Sequence, residues 1–325
     1  MDSPFWPGDD RAGDTLSPRS FLEAMVAVEA AWIDRALEVP DVDLDAEAGG
    51  NAVIGLVDAL RSAHPGVDVH TGLTSQDVVD SALMLLLRDA VDAIHGRLTR
   101  ASEAIRELDA SHGGTPLIAR TLTQWALPIT FGHRLDAWHT GLAEACEDLE
   151  ALTFPVQVGG PVGLLEDDRD LAARLGLAPS RPWHTNRRPI TRIGDALTAV
   201  TDACGHIARD VLTMARSDVA ELSEGTGGGS SSMPHKANPV LSVLVRRATL
   251  TTPQLAATLH LCAADQVEER ADGAWHAEWD TLRVLVRRTL VAADQTADLL
   301  SHLRVNTDRM RSNLAAAQSA REERR

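Results

Sequence analysis

The chain has 325 residues, enough for one large domain or two ordinary ones, and 44% of them are hydrophobic, so a sizeable core is expected. Its formal net charge of −16 argues against nucleic acid or an anionic membrane surface as a general partner. No apolar run is long enough to span a bilayer, so we expect no membrane partner.

The start of the chain and its cysteines favour a cytoplasmic protein. Residues 1–4 lack the basic and apolar regions of a signal peptide. Cys146, Cys204 and Cys262 are widely spaced and odd in number. That pattern is typical of reduced thiols rather than of a disulfide framework or a zinc site.

Residues 1–72 are predicted to form a small helical domain with loops, and a long helix follows. Thr74 and Asp77 form a helix-start pattern, and apolar residues then recur at helical spacing as far as residues 113–114. At about 1.5 Å per residue this helix would be on the order of 50 Å long. Residues 83–87 are apolar on every face, which predicts burial against other subunits.

Four further long helices are predicted along the chain. They run from Pro128 to Leu152, from Pro189 to Leu222, from Pro239 to Cys262 and from Gly273 to Leu303. Five long helices with little else indicate an all-α fold, a long bundle domain over residues 73–310 that oligomerises through its spare apolar faces. Residues 311–325 end in charges and are predicted to form a disordered tail.

The most informative segment is the loop at residues 227–239. Three glycines give it a mobile backbone, and hydroxyls, one cation and one amide follow. Ser230 could act as a nucleophile or base, and Lys236 and Asn238 could hold a carboxylate or a developing oxyanion. The alternative is a simple linker between two helices, which the composition from Met233 onward argues against.

Two further segments are rich in hydrogen-bond donors. Residues 70–77 begin a helix, whose free N–H groups and positive dipole end suit a carboxylate; a helix cap and a binding site are compatible there. Residues 119–128 form either a helix start, with Pro128 in its first turn, or a set of substrate contacts. The residues expected to contact the substrate in these segments are His70, Thr74, Ser75, Gln76, Arg120, Thr121 and Gln124.

Residues 269–279 combine charged and aromatic side chains. Arg270 could belong to a surface charge cluster, but two tryptophans and His276 beside it indicate the wall of a binding pocket. No metal-ligand spacing and no nucleotide-binding motif stands out anywhere in the chain, so we expect neither a metal nor a cofactor.

Residues 229–238 match in full the signature loop of the fumarase/aspartase superfamily, G-S-S-x-M-P-x-K-x-N. Within that superfamily the chain resembles the 3-carboxy-cis,cis-muconate cycloisomerases, and the resemblance covers roughly residues 20–305. The segments that carry it are residues 70–80, 120–124 with 128–132, 157–160, 182–185 and 275–279.

The resemblance implies an all-helical homotetramer with a central bundle of twenty helices, active sites shared by three subunits and a small anionic di- or tricarboxylate as substrate. It also implies conversion of 3-carboxy-cis,cis-muconate to 4-carboxymuconolactone in the β-ketoadipate route. By motif position Ser230 matches the catalytic base, and Lys236 and Asn238 would stabilise an aci-carboxylate dianion. Ser231 and Met233 would contact the substrate. Members of the family usually add a further small C-terminal domain, which we expect this chain to lack.

Two departures from the family leave alternatives open. Leu122 and Trp125 stand where relatives often carry histidines, so a general acid cannot be assigned in that segment. The second hypothesis is a C–N lyase of the same superfamily, acting on an adenylosuccinate-, argininosuccinate- or nitrosuccinate-type substrate. The third is a catalytically silent paralogue that serves as a scaffold.

Overall fold

The computed structural model describes residues 4–41, 45–225, 228–229, 232–233 and 236–323. These residues are mostly helical, as predicted. The elements in chain order are α1 (Pro18–Trp32), α2 (Ala46–Gly49), α3 (Val53–Ala63), α4 (Ser75–His112), β1 (Pro116–Thr121), β2 (Gln124–Thr130), α5 (Phe131–Glu150), α6 (Leu171–Leu175), α7 (Arg188–Met214), β3 (Leu222–Glu224), α8 (Val240–Thr249), α9 (Thr252–Ala264), α10 (Ala274–Ser301), β4 (Leu303–Val305) and α11 (Thr307–Glu322).

The long helices α4 and α7 each pack against α10, and all three run in the same direction. Close to where α4 and α10 begin, Trp275 Nε1 donates to Asp80 Oδ1 at 3.0 Å. Further along the same pair, Arg100 Nη1 donates to Asp294 Oδ1 at 3.4 Å. The bundle therefore has a near end, where these three helices begin, and a far end, where they finish.

The long predicted helix is confirmed as α4. It begins where Asp77 Oδ2 accepts the N–H of Thr74 at 2.9 Å, and it continues for 38 residues. Its apolar stripe is buried in the core, but Leu85 and Leu86 remain partly exposed on a single chain. Burial of these two side chains against other subunits stays a prediction.

A β-hairpin replaces the predicted start of the second long helix. β1 and β2 pair antiparallel, with Pro128 inside β2, and the helix begins only at Phe131, after the hydroxyl of Thr130 accepts the N–H of His133 at 3.2 Å. The turn places Leu122 and Thr123 at φ of 49° and 69°. Since a proline is tolerated in an edge strand as well as at a helix start, Pro128 alone did not distinguish the two.

The predicted helix from Pro239 to Cys262 is divided into α8 and α9. The division lies just before Pro253, which has no N–H to donate to the helical ladder. The predicted end of α7 at Leu222 was also wrong, because the helix stops at Met214. Residues 222–224 instead form β3, which pairs antiparallel with β4.

The prediction of a disordered tail over residues 311–325 is wrong as far as Glu322, because residues 311–322 belong to α11. The Asn306 side chain caps this helix by accepting the N–H of Arg309 at 3.0 Å. Met310 is fully buried, and Asn313 donates to the carbonyl of Val219 at 2.9 Å. The helix therefore packs against the far end of the bundle, and the division into domains stays a prediction. Within the described ranges, no helix has the length and apolar character needed to cross a bilayer.

A buried ion cluster at the near end joins the three long helices. The Arg187 guanidinium donates to both carboxylate oxygens of Asp80, at 2.7 and 3.0 Å, and to both of Glu278, the shortest contact being 2.7 Å. All three side chains have no exposed surface. Burial raises the pKa of the Glu278 carboxyl against the opposing effect of Arg187. We call Asp80, Arg187 and Glu278 the Arg187 cluster.

Replacing Arg187 by methionine is expected to lower the free energy of unfolding by about 3–5 kcal/mol, because two buried carboxylates lose their counter-charge. Urea denaturation monitored by circular dichroism measures this. Arg188→Met is the matched control: Arg188 is exposed at the start of the same helix, and its loss should change stability by less than about 0.5 kcal/mol. Equal effects of the two variants would contradict the assigned role of the cluster.

Candidate active site

The near end carries the first group of predicted site residues. Thr74 and Ser75 are half-buried at the start of α4. Gln76 is 2% exposed, and its side chain is occupied by the protein itself. Its Nε2 donates to the carbonyl of His184 at 2.8 Å and to Asp80 at 3.2 Å. In this conformation the amide group links the start of α4 to the Arg187 cluster.

Asp77 is the centre of a second buried network at the near end. Its Oδ1 lies 2.8 Å from His184 Nε2 and accepts from Gln157 Nε2 at 3.3 Å. Its Oδ2 accepts the N–H groups of Thr74 and Gly160, both at 2.9 Å. Asp77 thus holds three separate loops around the start of α4. The sequence marked it only as a helix-start residue, since its partners are distant in the chain.

Arg270 also lies at the near end, where it contacts the loop at residues 160–161 and the start of α4. Its Nη2 donates to the carbonyls of Gly160 and Pro161, at 2.8 and 3.0 Å, and its Nη1 donates to Gln76 Oε1 at 3.2 Å. Burial lowers the pKa of the Arg270 guanidinium, whereas the nearby carboxylates of Asp77 and Asp80 act to raise it. Arg270 therefore brings a partly desolvated cation against Gln76, the residue that follows Ser75 in α4.

The two predicted histidines occupy different surroundings. His70 Nδ1 lies 2.6 Å from Oε1 of the fully buried Glu29, and its backbone has a φ of 67°. His276 is exposed and packs against Trp275 and Trp279, with ring centroids 5.2 and 4.8 Å apart. The first is fixed by a carboxylate, whereas the second contributes to an aromatic cluster at the beginning of α10.

The hairpin lies at the far end of the bundle and carries the second group of predicted site residues. These residues lie on two different faces of the hairpin. Thr121 and Gln124 are cross-strand partners, and both are exposed. Arg120 is the cross-strand partner of Trp125. Its guanidinium donates to both oxygens of the fully buried Glu221, at 2.9 and 3.0 Å. Arg120 is therefore anchored inside its own chain, whereas Thr121 and Gln124 are free to meet another molecule.

The signature loop leaves the bundle at the same far end. Gly228 and Asn238 form a two-way backbone bridge, at 2.8 and 3.0 Å, and Asn238 Nδ2 donates to the carbonyl of Gly229 at 3.3 Å. Lys236 is exposed and is the only lysine among the 31 basic residues of the chain. Met233 is 42% exposed. The predicted residues Ser230 and Ser231 lie outside the described residues.

The two groups cannot meet within one copy of the chain. Ser75 begins α4, and the hairpin follows its end, so the 38 residues of that helix separate them by about 55 Å at 1.5 Å per residue. A complete site with the near-end and far-end residues together requires more than one copy. Among the described residues, no group of three or more His, Cys, Asp or Glu is arranged to hold a metal ion.

Comparisons with known proteins agree on one family. A family model described as lyase matches residues 24–250. The nitrosuccinate lyase of Streptomyces davaonensis is 39% identical over 319 residues, covering 90% of this chain and 67% of the relative. The 3-carboxy-cis,cis-muconate cycloisomerase of Bradyrhizobium diazoefficiens is 40% identical over 314 residues, covering 90% of this chain and 69% of the relative.

Solved structures support the same assignment. The 3-carboxy-cis,cis-muconate lactonizing enzyme from Pseudomonas putida superposes with a TM-score of 0.86 at 30% identity, covering 94% of this chain and 77% of that one. By family model, sequence identity and fold, the chain belongs to the lyase family of the fumarase/aspartase superfamily, and it is an enzyme of that superfamily.

Proposed function

We propose that the protein is a 3-carboxy-cis,cis-muconate cycloisomerase, which forms 4-carboxymuconolactone in the β-ketoadipate pathway of protocatechuate degradation. The observation that carries this proposal is the signature loop, which combines a hydroxyl, an amide tied at the base of the loop and the only lysine of the chain. Curated relatives with this activity in their names are 33–40% identical to it.

The proposed chemistry is ring closure with proton transfer beside a carboxylate. One substrate carboxylate attacks an alkene carbon to form the lactone C–O bond, and the neighbouring carbon takes up a proton. The Ser230 hydroxyl, whose alkoxide is the base of the reverse reaction, delivers this proton and then regains one from solvent, and Lys236 and Asn238 stabilise the aci-carboxylate dianion that forms in between. Arg270 and the start of α4 suit the remaining negative charge of the substrate.

We further propose a homotetramer whose active sites are each built from three subunits. The separation of Ser75 from the hairpin along α4 supports this, because both segments belong to the superfamily site. The exposed Thr121 and Gln124 would then meet the near end of a second copy, while Leu85 and Leu86 would become buried in the shared bundle. A cytoplasmic location is proposed from the cysteines, which are free thiols.

A nitrosuccinate-type C–N lyase is the second candidate, favoured by the relative of that name at 39% identity. The two reactions share the need for a stabilised aci-carboxylate, which is why the loop alone does not separate them. A silent scaffold has no support from the loop, which keeps its hydroxyl, cation and amide.

The first test is turnover by the purified protein. Loss of the diene absorbance of 3-carboxymuconate is expected, without release of nitrite or fumarate from nitrosuccinate.

Ser230→Ala should lower kcat by about 10³-fold or more, because no other group replaces the base. Ser232→Ala is the matched control at the variable position of the motif and should keep nearly full activity. Full activity of Ser230→Ala would overturn the assignment, and nitrite release would select the second candidate.

The shared site predicts complementation between inactive variants. A mixture of Ser230→Ala chains, changed at the far end, and Arg270→Gln chains, changed at the near end, should regain about a quarter of the wild-type rate after dissociation and reassembly, because these residues come from different subunits. The control mixture combines Ser230→Ala with Lys236→Met, which lie in one loop, and should remain inactive. The same rate from both mixtures would contradict a site built across subunits.

A further inference from the structure

A cavity of about 470 Å³ lies behind the hairpin, between the end of α7 and α11. We call it the hairpin cleft. Its size is within the range of small-molecule sites, roughly 300–1,000 Å³. The residues that define its chemistry are Arg120, Trp125, Arg134, Arg209, Arg216 and Asn313.

Two of its arginines are held rigidly by carboxylates. Arg120 is fixed on both oxygens of Glu221, which also accepts from Asn313 Nδ2 at 2.8 Å. Arg134 Nη1 donates to Asp210 at 3.0 Å, and the indole of Trp138 donates to the same oxygen at 2.9 Å. These two side chains are therefore held in place without a ligand. Less side-chain entropy is then lost when a ligand binds.

Arg209 differs from these neighbours because its charge is not neutralised. In the described part of the chain it has no ion pair and no hydrogen bond to another side chain, and it is exposed. Four arginines line the cleft, and three of them are paired with carboxylates: Arg120 with Glu221, Arg134 with Asp210 and Arg216 with Asp218. The charge of Arg209 is therefore left over. In a chain of net charge −16 this is a local positive concavity, where low-dielectric walls concentrate the field on an anion.

Trp125 supplies a flat apolar wall. It is 51% exposed, and as the cross-strand partner of Arg120 it lies on the same face of the hairpin. Met214 and Val219 complete the apolar lining. An aromatic ring or conjugated chain can stack on the indole while its acid group reaches a guanidinium.

We propose that the hairpin cleft binds a small planar carboxylate, with the acid group on Arg209 and the ring or conjugated plane on Trp125. All the contacts that define this cleft lie within one chain. This binding does not depend on the reaction proposed for Ser230, so each can fail without the other.

Titration calorimetry with benzoate tests the proposal. Wild-type protein should bind benzoate at least about 10-fold more tightly than benzamide, which lacks the charge, or cyclohexanecarboxylate, which lacks the plane. Arg209→Gln should weaken benzoate about 10-fold or more. Trp125→Leu should remove the preference for benzoate over cyclohexanecarboxylate.

Two controls separate this site from other effects. Arg192→Gln removes an exposed arginine near the opposite end of α7 and should leave benzoate affinity unchanged. Ser230→Ala should also keep benzoate binding, whatever happens to turnover. Absence of benzoate binding to the wild type up to about 10 mM, or equal affinities of Arg209→Gln and Arg192→Gln, would overturn the proposal.

Discussion

The Arg187 cluster is the interaction on which the rest of the structure depends. It fixes the relative position of α4, α7 and α10 at their beginnings, where one guanidinium satisfies two carboxylates from different helices. Helices of this length can slide along each other by a turn at modest cost if only apolar surfaces meet. A shift of one helix would leave a buried ion of this cluster without its partner, which costs about 3–5 kcal/mol and so favours the observed arrangement.

Hydrogen bonds of two adjacent residues, Gln76 and Asp77, connect the surroundings of the Arg187 cluster to the candidate site at the near end. Gln76 connects Asp80 to Arg270, and Asp77 connects His184 to the loop that holds the Arg270 guanidinium. The side chains at the near-end candidate site are thus joined by hydrogen bonds to the side chains that align the three long helices. The exposed hairpin lies at the other end of the bundle, so residues such as Leu122 and Trp125 can vary without disturbing this core.

Sequence periodicity predicted the features that repeat along the chain, and it failed where partners are distant. The 38-residue α4 and the motif of the signature loop are local patterns, so both could be identified directly. The hairpin was missed because Pro128 suits a helix start as well as a strand. The pairing of Asp77 with His184 joins residues 107 positions apart, which no local pattern encodes.

The single lysine has a practical consequence apart from its proposed role. Reagents that acylate amines have one lysine side chain to attack in this sequence, and Lys236 is exposed. Attachment to an amine-reactive surface or dye would therefore proceed through the signature loop or through an α-amino group. Common immobilisation chemistry would label the candidate active site itself, whereas chemistry directed at the half-buried Cys146 would leave the loop unmodified.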